Sequence, residues 1–327
     1  MEQPVTAAAV PLAPSTTSRN WSEALAFVIM VGLLAVAPLY FYPMVVMQAL
    51  CFALFACAFN LLIGYGGLLS FGHALYFGWA SYLAAHSAKV WGFPPELAIL
   101  TGAATGALLG IVSGALAIRR QGIYFAMVTL ALAQMVFFFC LQAKFTGGED
   151  GIQSVPRGKL LGMLDLTDNR TMYYFVLAVF TAGFLLIYRI IHSPYGQVLK
   201  AIRENEPRAI SLGYRTDRYK LMAFVLSALL SGLAGATKAI VFQLASLTDV
   251  HWSMSGEVVL MTLLGGMGTI FGPVIGAFVI MAMEFYMSGM GAWFTIAQGI
   301  IFVICVLAFR RGVMGEVEAW LRSRRKG

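Results

Sequence analysis

RIIHSPYGQVLKAIRENEPRAISLGYRTDRYK, residues Arg189–Lys220, carries seven Lys/Arg against three acids and stands between two long apolar runs, 172–188 and 221–242. A block this polar does not sit in hydrocarbon, because each charge placed there costs several kcal/mol. It is a water-exposed loop, and its basic excess marks it as cytoplasmic. The loop also has internal order. Ser193 followed by Pro194 is an N-cap with proline at the first helical position, which opens a helix through about Asn205. Pro207 restarts a short helix, Pro207–Leu212, and Gly213 ends it in a left-handed cap. Two readings fit the pattern. One is a solvated basic loop that attracts anionic lipid headgroups. The other is a docking helix held at a fixed angle for a soluble partner.

The rest of the chain decides its class. Of 327 residues, 60% are hydrophobic and only 11% charged, with mean hydropathy +0.80. A soluble domain usually carries about 25% charged residues, so this is a polytopic membrane protein. The net charge of +7 is spread over loops between apolar runs and is no nucleic-acid footprint. Cys51, Cys57, Cys140 and Cys305 lie inside apolar runs without CxxC spacing, as packing residues rather than disulfide or metal ligands.

Apolar runs cover 24–40, 44–63, 66–87, 97–118, 123–142, 172–188, 221–242, 258–287 and 292–309. Most reach the roughly 20 residues that cross a bilayer as a helix. Nine spans give the wrong parity, because Arg119–Arg120, the 189–220 loop and the basic tail all belong inside. The 258–287 run resolves this, for GGMGTIFGP (Gly265–Pro273) sits at its middle, where glycines closed by proline end one helix and start another. The expectation is an all-α bundle of about ten transmembrane helices, some broken or short, with both termini inside. That topology puts 16 of the 22 Lys/Arg on the cytoplasmic side. Residues 1–22 form a flexible tail, 23–309 the transmembrane domain with its loop at 191–219, and 310–327 a basic tail. The first run lacks a small-x-small cleavage site and reads as a retained span.

Each half holds one glycine-rich interruption, GYGGLLSFGH (Gly64–His73) and Gly265–Pro273. Broken helices in corresponding positions of two halves point to a translocation path at their interface. The candidate residues are therefore Asn60, Gly64, Gly66, Gly67, Ser70, Gly72 and His73, with Gly265, Gly266 and Gly268 in the second half. Asn60, Ser70 and His73 are expected to satisfy backbone groups that the glycines release. They either hold the broken helix together or touch substrate. Lys238, Glu257 and Glu284 lie near span ends and are expected at the membrane interface. GAATGALLGIVSG (Gly102–Gly114) and SGLAGA (Ser231–Ala236) read as close-packing helix faces. There is no GxxxxGK[ST], HExxH, GxSxG or clustered carboxylate pair, so neither an enzyme nor a bound cofactor is expected.

NLLIGYGGLLSFGHALYFGWASYLAA (Asn60–Ala85), GIYFAMVTLALAQM (Gly122–Met135), TGGEDGI (Thr146–Ile152), SPYGQVLKAIRENEPRAISLGYRTDRYKLMAF (Ser193–Phe224) and the Gly265–Pro273 break followed by VIGA (Val274–Ala277) occur in this order. Together they resemble the inner-membrane permeases of ABC importers for branched-chain amino acids, across about residues 44–309. The resemblance implies an importer permease fold in a bacterial inner membrane. Its implied partners are two cytoplasmic ATP-binding subunits, a second permease of the same fold, a periplasmic binding protein and membrane lipid. It makes the 189–220 loop the segment that docks on an ATPase. In such loops EAA, three residues and Gly recur; here Ala209 and Gly213 match, while Pro207 and Arg208 replace the leading pair. The implied docking residues are Arg203, Arg208, Ala209, Ile210, Leu212 and Gly213, with Ile210 and Leu212 filling a groove and Arg203, Arg208 and Arg215 rimming it. Alternating access would carry zwitterions with apolar side chains, and urea or short amides fit nearly as well. An ion-coupled secondary transporter and a membrane enzyme are the readings from other classes. The first needs ionisable residues at mid-membrane, where His73 alone is expected.

Overall fold

PMVVMQALCFALFACAFN is apolar on every side, and a helix without a polar face belongs in the middle of a bundle. In the computed structural model it is the helix Pro43–Asn60, and residues 46, 47 and 49–60 are all buried. The structure describes residues 17–308 and 312–316 apart from 161, 163, 288 and 290–292. Residues 1–16 and most of the 310–327 tail fall outside the described residues. The described chain runs α1 Thr17–Val36, α2 Pro43–Asn60, α3 His73–Lys89, α4 Pro95–Ala117, α5 Ile123–Gln142, α6 Asn169–His192, α7 Pro194–Glu204, α8 Glu206–Ser211, α9 Thr216–Phe242, α10 Trp252–Gly265, α11 Gly272–Met287 and α12 Trp293–Ala308. The fold is all-α and polytopic in character. Five segments, 43–65, 95–117, 123–142, 169–192 and 216–242, are each long and apolar enough to cross a membrane. The run 258–287 is divided between α10 and α11, as its glycines and proline predict.

Around α2 pack α6, α9, α10 and α11, and a second group is formed by α3, α4 and α9. Small residues bring this second group together. A Cβ at Gly106 of α4 would lie 3.1 Å from both the Ala228 carbonyl oxygen and Gly232 Cα of α9. At Gly235 of α9 it would run into the Phe77 carbonyl of α3. Without a hydrophobic driving force between helices in lipid, such backbone-to-backbone approach supplies the packing. Both small-residue faces singled out in the sequence lie in these contacts.

The connection between α5 and α6 is tied down by one arginine. Arg157 is 7% exposed; its Nη2 donates to the Val241 carbonyl at 2.7 Å and its Nη1 to Asn169 Oδ1 at 2.9 Å. Ile152–Gln153 and Leu244–Ala245 pair antiparallel, with Ile152 opposite Ala245. After that pairing the chain turns back into the bundle. Asp249 and Val250 meet α3 at Gly78, where a Cβ would stand 2.7 Å from the Asp249 carbonyl carbon. α10 therefore starts against the middle of α3 rather than at the bundle edge.

Replacing Gly235 by valine forces α3 and α9 apart and should cost at least about 2 kcal/mol. The matched control is Gly256→Ala in α10, where a Cβ meets nothing within 4 Å. Thermal unfolding in detergent should show a lowered Tm for the first variant and an unchanged or raised one for the second.

Candidate functional site at the junction of two broken helices

α2 does not stop cleanly. It continues as one π turn, Leu61–Tyr65, and residues 67–72 are then non-helical until α3 begins at His73. A break inside a bundle frees backbone groups, and those that are buried need a partner from the protein. The Gly67 and Leu68 amides donate back to Ile63 and Leu62. Phe71 N–H donates to Thr129 Oγ1 of α5 at 3.2 Å, and Gly72 N–H to Ser70 Oγ at 3.2 Å. At the start of α3, the Ala74 amide donates to Ser255 Oγ of α10 at 2.9 Å.

The second break lies between α10 and α11. Gly266 and Gly268 take φ of +116° and +75°, conformations that favour glycine. Thr269 Oγ1 donates to the Gly266 carbonyl at 2.7 Å and accepts from Gly272 N–H at 3.1 Å, pinning the turn. The two breaks meet through Asn60. Its Oδ1 accepts from Gly268 N–H at 2.9 Å while its Nδ2 donates to the Thr269 carbonyl at 2.8 Å. The approach leaves no room at Gly64, where a Cβ would run into Asn60 Oδ1 and lie 2.7 Å from the Gly268 nitrogen.

The expected roles of the three polar residues are thus redistributed. Ser70 serves its own break, as the sequence suggests. Asn60 serves the other one, more than two hundred residues away. His73 serves neither break's backbone: it is fully buried, and its Nε2 lies 2.8 Å from Ser227 Oγ. Ser227 Oγ donates its proton to the Ala58 carbonyl at 2.6 Å, so the imidazole is the donor in the first contact. Phe59, Tyr76 and Phe224 close around the ring edge-on. Thr129, Ser227 and Ser255 were not singled out in the sequence. Each is one small hydroxyl among apolar neighbours, and no local pattern distinguishes it.

The polar loop follows its predicted caps closely. Ser193 Oγ accepts from Gly196 N–H at 3.3 Å to open α7. The N-cap of α8 is Asn205, whose Oδ1 accepts from Arg208 N–H at 3.1 Å, so Pro207 is the second residue of that helix rather than its first. Gly213 adopts φ +88°. Tyr214 N–H reaches the Ala209 carbonyl and Gly213 N–H the Ile210 carbonyl, which is a Schellman ending. Ala209 is 3% exposed, whereas Ile210 and Leu212 are 56% and 70% exposed and Arg208 stands beside them, also exposed. Glu206 anchors the start of α8 through an ion pair with Lys220 at 2.5 Å and accepts from Gln121 Nε2 at 3.3 Å. Tyr195 and Tyr219 stack at 5.5 Å, and the Tyr195 hydroxyl donates to the Tyr219 carbonyl; burial holds its pKa above the ordinary phenol value. Arg203, grouped with the docking residues by its position in the loop, turns the other way: its Nη1 donates to the Gly64 carbonyl at the first break.

The charges that the sequence places near span ends are partly or wholly buried within the bundle. Lys238 pairs with Asp249, and their side chains are 13% and 1% exposed. Glu257 of α10 and Glu284 of α11 are half-buried and near enough to repel each other. The reason is the fold-back after α9, which brings the start of α10 into the bundle. Cys51, Cys57 and Cys140 are buried and free.

Lys238→Met would leave the Asp249 carboxylate buried without its partner and should destabilise the protein by about 3–5 kcal/mol. Adding Asp249→Leu removes the stranded charge, and most of that loss should return. Chemical denaturation of both variants and of Asp249→Leu alone gives the cycle; an additive result would show that the pair does not interact.

Residues 42–309 match the family model described as branched-chain amino acid transport system / permease component. The high-affinity branched-chain amino acid permease protein LivM of Salmonella typhimurium (strain LT2) is 27% identical over 291 residues, covering 80% of this chain and 67% of that protein. LivM of Escherichia coli (strain K12) is 26% identical with the same coverage. The ribose import permease protein RbsC of Bacillus subtilis (strain 168) is 29% identical over 239 residues, covering 68% of this chain and 70% of that one. No solved structure matches. The match spans almost all of the helical region, and the chain belongs to the family of permease components of the branched-chain amino acid transport system, which are not themselves enzymes.

Proposed function

We propose that this chain is one permease half of an ATP-driven importer that carries branched-chain or similar apolar amino acids into the cytoplasm. In this reading it pairs with a second permease of the same fold in a bacterial inner membrane. Two ATP-binding subunits dock from the cytoplasm, and a periplasmic binding protein delivers the cargo. The chain crosses the membrane ten times in this reading, with the α6–α9 loop and both termini cytoplasmic.

The observation that carries this reading is the form of α8. A helix of six residues, Glu206–Ser211, is capped at both ends, anchored by Glu206 to Lys220, and presents Ile210 and Leu212 to the outside. A solvated lipid-binding loop needs charges but no such rigidity. An apolar pair on a rigid short helix suits a groove in a partner, and Arg208 beside it would add orientation more than affinity. The resemblance to sugar permeases favours a second cargo: the same importer carrying a sugar, as suggested by the fructose import permease protein FrcC of Rhizobium meliloti, 24% identical over 247 residues.

Gly213→Val isolates the coupling step. No atom lies within 4 Å of a Cβ built there, so the cost is the left-handed backbone alone, about 1–3 kcal/mol confined to the helix exit. The variant should insert at normal levels, while uptake and permease-stimulated ATP hydrolysis both fall. Normal uptake by a stably inserted Gly213→Val permease would return the loop to the role of a lipid-facing segment.

The cargo is tested on the cognate binding protein by calorimetry. Leucine, isoleucine or valine should bind and ribose or fructose should not; the reverse would establish the sugar reading. Thiol labelling of Lys159→Cys only from outside and Ser211→Cys only from inside would fix the orientation. Ser288, a further position expected outside, lies beyond the described residues.

A further inference from the structure

The geometry points to Arg203 as the strut that carries movement of the cytoplasmic loop into both broken helices at once; this deepens the proposed importer function and rests on it. α7 lies with one face against the end of α2. Leu199 is fully buried, and its Cδ1 would be 3.8 Å from a Cβ at Gly66. Lys200 places its ammonium 5.4 Å from the centre of the Tyr65 ring. One turn beyond Leu199 on the same face, Arg203 reaches across the junction. Its Nη1 donates to the Gly64 carbonyl in the π turn. Its aliphatic stem runs along Gly67, where a Cβ would stand 3.0 Å from Arg203 Cγ, and its Nη1 would be 3.4 Å from a Cβ at Gly268 in the second break.

One side chain therefore bonds Gly64 and lies beside Gly67 and Gly268, and Asn60 has already bonded the two breaks into one unit. A guanidinium suits this place because it is planar, carries several donors on a rigid fork and stays charged. Its rigid fork can hold a backbone carbonyl while its stem fills the gap that the glycines leave. α7 runs straight into α8 through the Asn205 cap, with Glu204, Asn205 and Glu206 as the only residues between Arg203 and Pro207. A displacement of α8 by its partner thus has a path of a few residues to Arg203 and from there to both interruptions. Arg203 acts through the helix breaks and is a positioning residue.

The test uses the assembled transporter in proteoliposomes, with Leu69→Cys in the first break as a thiol reporter; Leu69 is 38% exposed. In the otherwise unchanged permease, trapping the ATPases with ATP and vanadate should alter the labelling rate of that thiol by at least about fivefold, the lower range of ordinary coupling between sites. With Arg203→Gln the permease should insert normally and ATP hydrolysis should remain within about twofold, while the nucleotide-dependent change in labelling disappears. Arg203→Lys, which keeps the charge and loses the fork, should retain part of the change. A labelling response as large in Arg203→Gln as in the parent would overturn the strut. An Arg203→Gln protein that fails to insert, together with a full response in Arg203→Lys, would also count against it, since the residue would then serve folding alone. If the parent itself responds to no nucleotide and stimulates no ATP hydrolysis, the importer reading fails first and takes the strut with it.

Discussion

Asn60 holds the structure's most consequential contact. Inside a helix bundle, an interrupted helix frees amides and carbonyls that cost several kcal/mol each when buried unpaired. A primary amide side chain is the one group that offers a donor and an acceptor side by side, matching the N–H of Gly268 and the C=O of Thr269. By answering the second interruption from the end of α2, it makes the two breaks one joint. The hydroxyls of Ser70, Thr129, Ser255 and Thr269 complete the pairing locally. The alternative of an unbroken helix would satisfy the backbone more simply but would leave nothing to move.

That joint sits beside a part built to stay rigid. α3, α4 and α9 touch backbone to backbone through glycine and alanine, and interiors packed this densely are not continuously deformable. The Lys238–Asp249 pair fixes the chain where it folds back into the bundle, and Arg157 fixes the connection before α6. Beside this rigid part, among the described residues near the joint, the backbone is irregular at 67–72 and 266–271. α7 packs directly against this joint through Leu199 and Arg203.

The burial of Lys238 with Asp249 bears on the rival idea of ion coupling. Each has its counter-charge within the bundle, and the pair ties the chain where it folds back. The family to which the chain belongs consists of transport-system permease components, and α8 is a short, capped helix with apolar residues left exposed at its end.

By itself the sequence determined the class of fold, the helix interruptions and the form of the polar loop, because each depends on local chemistry. Hydropathy locates the apolar helices, glycine clusters closed by proline locate the division of 258–287, and Ser193, Pro194 and Gly213 cap their helices wherever those helices lie. The small-residue faces of α4 and α9 were legible for the same reason, since a run of glycines and alanines has no other use in lipid. Only the tertiary structure decided which break Asn60 serves, that His73 binds Ser227, that Arg203 bonds Gly64, and that Lys238 finds Asp249. These are pairings between residues far apart in the chain. A lone Asn, Ser or Arg has the same local appearance whichever partner it meets, and the partner is chosen by how the helices are stacked.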